Sequence, residues 1–146
     1  MKALYVSWEQ KFQPIAKNSS WIPLILARII VGWTFLQAGW GKFANLERVI
    51  GFFDSIGIPL ASIQAPMVAG FEFFGGLFLI LGLLTRVMTL PLIFVMFIAL
   101  ITAHASEIGS VSDLFGQTPF LYISLMIVLL FFGPGKISAD HLIIKR

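Results

Sequence analysis

The chain has 146 residues, 58% of them hydrophobic and only 12% charged, with a formal net charge of +3 and a mean hydropathy of +0.94. A soluble domain carries roughly a quarter charged residues, and fifteen Phe with four Trp cannot be hidden in so small a globule. An ordinary soluble domain is excluded, and most of the chain is expected to meet lipid. With no Cys, disulfides, CxxC redox centres, thiolate metal sites and Cys nucleophiles are excluded together. No basic run points to nucleic acid. A Walker loop, a GxGxxG fingerprint and an HExxH pair are all missing.

Residues 1–20 form a segment apart. Leu4, Trp8, Phe12 and Ile15 recur at helical spacing opposite Lys2, Glu9 and Lys17, a pattern that fits either a helix lying in the membrane surface or a disordered tail. No cleaved signal peptide fits, because no small-residue cleavage site follows the first apolar stretch and three more come after it. A membrane span needs about 20 largely apolar residues. The first is predicted from Trp21 to Gly41, with Asn18-Ser19-Ser20 able to cap its first turn and Pro23 just inside.

Leu46, Val49, Ile50, Phe53 and Ile56 then make a second amphipathic segment, ended by Gly57-Ile58-Pro59 and expected to lie flat over the mouth of the bundle. The second span is predicted from Pro66 to Leu84, the third from Val87 to Ala103, and the fourth from Thr118 to Phe132, closed by Gly133-Pro134-Gly135. The fourth is short, so it either draws on residues from Leu114 onward or sits in a thinned bilayer. None of these stretches alternates with period two, which excludes barrel strands. The predicted fold is all-α: a polytopic membrane protein with a four-transmembrane-helix bundle over residues 21–140, interfacial amphipathic segments, and a tail over 141–146.

Charge placement predicts the orientation. Lys2, Lys11 and Lys17 precede the first span, Arg86 lies in the second turn, and Lys136, Lys145 and Arg146 follow the fourth span. The other two loops carry only Lys42 and Arg48 as cations. Both termini are therefore expected on the cytoplasmic side.

An ionisable group inside a span costs roughly 2.5–3.5 kcal/mol on insertion scales, so each needs a reason. Arg28, Gly32, Phe35, Gly39 and Lys42 share one stripe of the first helix at 100° per residue. Glycines on that stripe predict a close neighbouring helix, so the charges face protein. Gly75 and Gly76 flank the face of Glu72 in the same way. Arg28 lies roughly 10 Å in from one end of its helix and Glu72 roughly 10 Å in from the opposite end. Two layers follow: a structural Arg28–Asp140 ion pair on the cytoplasmic side, and a Glu72–Lys42–His104 acid–base cluster on the far side. The alternatives are that Glu72 serves packing alone and that His104 is a plain helix-terminal residue. Gln37 falls opposite the stripe, where a helix or subunit contact would lie. His104, Glu107 and Asp113 are too irregularly spaced to predict a metal site. His141 lies on the other side from His104, which speaks against a bis-His haem.

The motifs taken together resemble the DoxX family of small four-helix bacterial membrane proteins. They are Ala27-Arg28-Ile29 with Gly32; Gly39-Trp40-Gly41-Lys42-Phe43; Phe53-Asp54-Ser55-Ile56-Gly57-Ile58-Pro59; Glu72 with Gly75-Gly76; Gly82-Leu83-Leu84-Thr85-Arg86; His104; and Gly133-Pro134-Gly135-Lys136-Ile137-Ser138-Ala139-Asp140. The likeness runs from about Leu24 to Asp140. The resemblance implies a bacterial inner-membrane protein linked to redox biology, with quinone reduction in the branch related to the DoxD subunit of thiosulfate:quinone oxidoreductase. Because this chain lacks Cys, such a role needs a bound quinone or a partner protein that carries the electrons.

Three functions fit. The first is a quinone-interacting oxidoreductase component, with Glu72 exchanging protons, His104 and Lys42 orienting or relaying, and Phe-rich walls holding the ring. The second is a membrane scaffold that docks a partner or forms a homo-oligomer, and the third is a small proton-coupled carrier with Glu72 as coupling acid. Quinone is the expected cofactor of the first reading; haem, flavin and metal are not expected. Membrane lipid and a redox protein are the expected partners, and nucleic acid is not.

Overall fold

The computed structural model describes the backbone of residues 1–144 and, within it, all side chains except those of residues 2–5, 7, 15 and 144. Lys145 and Arg146, and the side chains of Lys2, Leu4 and Ile15, lie outside this description. The described residues form helices α1 (Lys2–Ser19), α2 (Trp21–Ala44), α3 (Leu46–Ser55), α4 (Ala61–Leu81), α5 (Thr85–Thr102), α6 (Val111–Gly116), α7 (Thr118–Phe132) and α8 (Ala139–Ile144), with a 3-10 turn at Ala105–Glu107. Among them there is no strand. The chain is an all-α polytopic membrane protein.

Helices α2, α4 and α5 are each long and apolar enough to cross a membrane, whereas α7 is apolar but has 15 residues. At 1.5 Å per residue α7 spans about 22 Å, less than the ~30 Å hydrocarbon core. A break at Gln117, with extended ψ of 127°, separates it from α6. The four helices close a ring in which α2 packs on α4, α4 on α5, α5 on α7, and α7 back on α2. Val31, Phe35, Leu79, Leu92 and Met126 meet at its centre. Leu26, Ile30, Trp33, Trp40, Phe94 and Phe131 are exposed around the outside, as expected for side chains that meet lipid.

The helix ends differ from the sequence expectation: α2 runs on to Ala44 rather than Gly41, and α4 stops at Leu81 rather than Leu84. Ser20 does not cap α2: its backbone is helical (φ −57°, ψ −18°), and its hydroxyl donates to the Lys17 carbonyl at 3.1 Å, so α1 runs almost directly into α2. Helix α4 begins at Ala61 rather than Pro66. Leu60 adopts a left-handed conformation (φ 53°), and its carbonyl accepts from Ile63 N at 2.9 Å and Gln64 N at 3.0 Å. Pro66 is the sixth residue of the helix, past the first turn, so its missing N–H leaves the Ser62 carbonyl without its intrahelical donor.

Small residues set the α2–α4 contact. The buried residues of α4 include Ala61, Ala65, Ala69, Glu72, Gly76 and Leu79, one helical face at spacings of three and four. A Cβ on Gly32 would lie 2.8 Å from the Gly76 carbonyl, and one on Gly76 would lie 2.6 Å from the Gly32 carbonyl. A Cβ on Gly39 would collide with the backbone of Phe73. Between lipid-embedded helices the hydrophobic effect is weak, so such close backbone approach supplies much of the association. Gly75 faces Leu92 of α5, 3.2 Å from its would-be Cβ.

Amphipathic helix α3 folds back on the first part of α4. Phe53 packs on Ala61 and Ala65, with Leu46, Val49, Ile50, Ile58 and Val68 around it. Gly57 (φ 78°) makes the reversal, a conformation that costs glycine little.

Candidate functional site

Buried charge occurs at two levels of the bundle. At the α4–α5 end, Arg28 is 4% exposed, and its guanidinium donates to four backbone carbonyls. Nε reaches Leu79 O at 2.9 Å, one terminal nitrogen reaches Pro134 O at 2.6 Å and Ile137 O at 2.9 Å, and the other reaches Ile80 O at 3.0 Å. The first and last lie at the end of α4, where a cation is well placed: Ile80 O has no backbone donor, and Leu79 O takes Arg28 as a second donor. The turn that presents them is a Schellman motif. Gly82 (φ 66°) donates to Leu79 O at 3.1 Å and Leu83 N donates to Phe78 O at 2.8 Å.

The expected Arg28–Asp140 ion pair is not formed. The Asp140 carboxylate instead accepts from Leu84 N at 2.7 Å and Thr85 N at 3.1 Å, capping the start of α5. The two charges lie at one end of the bundle as their depth requires, but each finds backbone first. The α4–α5 turn offers carbonyls to the cation and amides to the anion.

At the other level, Lys42 Nζ donates to Glu72 Oε2 in an ion pair. Lys42 lies in the last turn of α2, where the helix dipole favours a cation. Glu72 comes from the buried face of α4, its side chain 2% exposed against 26% for Lys42. Glycine packing brings the two helices close enough for the pair to form. Oε1 of Glu72 has no donor from the described residues.

His104 does not join this pair. Helix α5 ends at Thr102, and the 3-10 turn that follows brings Glu107 back, so His104 Nδ1 lies 3.2 Å from Glu107 Oε2. The sequence cluster is therefore corrected to Lys42 and Glu72, with His104 in a separate exposed pair. Gln117 also donates to Glu107 at 3.2 Å, and both contacts hold that carboxyl below the usual carboxylate range, the His104 hydrogen bond most strongly. Asp113 is engaged elsewhere, by the Ser110 hydroxyl at 2.9 Å and Gly109 N at 3.1 Å. Gln37 is exposed on the outer side of α2.

The Lys42–Glu72 pair lies on the wall of a cavity of about 230 Å³ between α3, α4 and α5. The lining is mostly apolar, with Phe52, Phe53, Phe71 and Phe94 among it, and Gln64 and Thr102 as further polar residues. These last two escaped the sequence reading, although their place near the same ends of α4 and α5 could have suggested them. Thr102 Oγ1 donates to Ile98 O at 2.7 Å and Gln64 Nε2 to Pro59 O at 2.6 Å. An apolar chamber with one ion pair suits a flat hydrophobic molecule carrying a polar head.

Comparison with known proteins agrees with the architecture. The DoxX family model matches residues 23–105, from the start of α2 through the His104 region, and so includes Arg28, Lys42 and Glu72 but not Asp140. The inner membrane protein YqjF of Escherichia coli (strain K12) is 30% identical over 128 residues, covering 86% of this chain and 95% of its own. The membrane protein Rv3486 of Mycobacterium tuberculosis is 34% identical over 134 residues, covering 84% and 82%. CatD of Bacillus subtilis (strain 168), whose name describes a candidate oxidoreductase, is 31% identical over 126 residues, covering 85% and 89%. No solved structure matches the chain.

Proposed function

Starting from this chain's membership of the DoxX family, we propose that it is a quinone-interacting component of a membrane oxidoreductase. The observation that carries the reading is the Lys42–Glu72 pair on the wall of an otherwise apolar cavity. Lys42 donates a hydrogen bond to a ring carbonyl, and Glu72 Oε1 accepts one from the ring hydroxyl of the reduced form. The Phe side chains hold the ring and the start of its tail. Reduction of a quinone takes two electrons and two protons. The electrons come from a partner redox protein, and Glu72 holds and passes a proton. The name of CatD agrees with this chemistry. The inner-membrane placement named for YqjF agrees with the location, and the lysines and arginine at the α1 and α4–α5 ends favour an orientation with both termini in the cytoplasm.

The test is gentle purification of wild type and Glu72→Gln, with mass spectrometry of every co-purifying lipid and quinone at equal folded yield. A stoichiometric quinone in wild type that is lost in Glu72→Gln supports the reading. Bulk phospholipid alone in both proteins overturns it and leaves the Lys42–Glu72 pair as a brace within a scaffold.

A further inference from the structure

A second cavity, of about 440 Å³, opens at the other end of the bundle, where α5 begins and α7 ends. Its charged lining is Arg86, Lys136 and Asp140, with His141 beside them. Asp140 is already engaged, its two oxygens accepting from Leu84 N and Thr85 N. Arg86 donates to the Phe131 carbonyl at 3.3 Å, and its guanidinium lies against Gly133, where a Cβ would stand 3.3 Å from the terminal nitrogen. Lys136 is exposed and has no partner among the described residues.

The turn adds a backbone donor. Pro134 O faces inward to Arg28, so the Gly135 N–H of the same trans peptide points the opposite way. It has no acceptor among the described residues. Two cations against one engaged carboxylate leave this cavity with a net positive charge.

The cavity lies where two apolar helices end, hence at headgroup depth. Its rim is apolar and outward-facing, with Leu84, Val87 and Phe132 being 47%, 53% and 72% exposed. A free anion gains nothing from such a rim, whereas acyl chains do.

We propose that this cavity binds an anionic phospholipid, with its phosphate held by Arg86, Lys136 and the Gly135 N–H and its acyl chains lying on Leu84, Val87 and Phe132. Basic pockets between transmembrane helices are known to suit such headgroups. The lipid would bridge α5 to the segment after α7, the seam that Asp140 closes from inside.

The full chain in detergent would be examined by native mass spectrometry with phosphatidylglycerol and phosphatidylcholine of matched chains. The expected result is retention of phosphatidylglycerol about tenfold above phosphatidylcholine, since two interfacial cations act on the anionic head. Arg86→Gln/Lys136→Gln should remove the preference, while Lys17→Gln keeps it. Should the double variant fail to fold, Lys136→Gln alone changes an exposed side chain without a protein partner and should cut the preference about threefold. Equal retention of the two lipids by wild type, or a preference undiminished by the loss of Lys136, overturns the proposal. Displacement of the lipid by millimolar inorganic phosphate also overturns it, identifying a plain anion site instead.

Discussion

Arg28 and Asp140 hold opposite ends of one turn without touching each other. Arg28 takes the carbonyls of Leu79 and Ile80, where α4 ends. Asp140 takes the amides of Leu84 and Thr85, where α5 begins. Its own N–H donates to Gly82 O, in the middle of the turn, at 2.9 Å. The chain after α7 thus clamps the α4–α5 connection, and Arg28 ties both to α2. A Cβ at Gly82 would fall 2.6 Å from Arg28 Cζ and 2.6 Å from Ser138 Cβ, so the knot admits no side chain there.

Replacing Arg28 by Leu should leave three carbonyls, those of Ile80, Pro134 and Ile137, without a donor in a low-dielectric setting, while Leu79 O keeps the Gly82 N–H. An unsatisfied buried group costs roughly 1–3 kcal/mol, so a loss of at least about 3 kcal/mol is expected. Arg28→Lys should rescue little, because an ammonium cannot reach acceptors spread around a planar fork. Thermal unfolding of the purified variants in one detergent checks both. A Lys variant as stable as wild type would show that charge, and not the fan of donors, is what the site needs.

Asp140→Ala should act on a different quantity. Leu84 is a non-glycine residue with φ 48°, a conformation that persists only where its surroundings over-determine it. Without the carboxylate the start of α5 loses its cap, at a cost of about 1–2 kcal/mol. Hydrogen exchange should quicken at Leu84 and Thr85 while the amides in the middle of α4 keep their protection. Uniform loosening of the whole bundle would contradict a local capping role.

Gly39 and Gly41 are two residues apart on α2 and should respond oppositely to the same change. A Cβ at Gly39 meets Phe73 and Ala69 backbone, whereas at Gly41 nothing lies within 4 Å. Gly39→Ala should force α2 from α4 and cost about 1–3 kcal/mol, and Gly41→Ala should stabilise α2, by about 0.5–1 kcal/mol. Unfolding midpoints of the two variants, measured together, decide this.

The loop between α5 and α7 carries the titration that pH can read. Hydrogen bonds lower Glu107, through His104 first, and Asp113, through the Ser110 hydroxyl first. A carboxyl lowered in the folded state stabilises above its unfolded value and loses that contribution as pH falls through the folded value. Amide protection over residues 105–116 should therefore be full at neutral pH and decline once the medium drops below the usual carboxylate range. Glu107→Gln with Asp113→Asn should flatten the profile. Both carboxylates are exposed, so the effect should stay local and weaken with salt.

The helices were legible because apolar length and glycine spacing are local properties. Depth arithmetic alone brings Lys42 and Glu72 to one level, and the stripe from Arg28 to Lys42 faces α4 because its glycines allow the approach. The partners of Arg28 and Asp140 were not legible, since side-chain charge suggests an ion pair while backbone acceptors and donors leave no mark in a sequence. They depend on the conformation of the Gly82 turn. His104 escaped for a similar reason: where α5 ends and how the chain then turns decides whether the ring faces the cavity or Glu107. The cavity itself needed α3 folded over α4, a tertiary fact that the amphipathic pattern only hinted at.

What the Lys42–Glu72 pair does for the fold is separable from what it does for a ligand. Lys42→Met strands a buried carboxylate and should cost about 2 kcal/mol or more, less than for a fully buried pair because Lys42 is partly exposed. Glu72→Gln leaves Lys42 near the cavity edge, able to reach solvent along its own stem, and should cost less. The double variant, with no charge left to strand, should regain most of the stability lost in Lys42→Met. A double-mutant cycle of unfolding free energies reads this coupling directly. Quinone retention should follow another rule and stay lost in all three variants, because each removes a group that meets the polar head. Recovery of both stability and quinone in the double variant would reduce the pair to a structural brace.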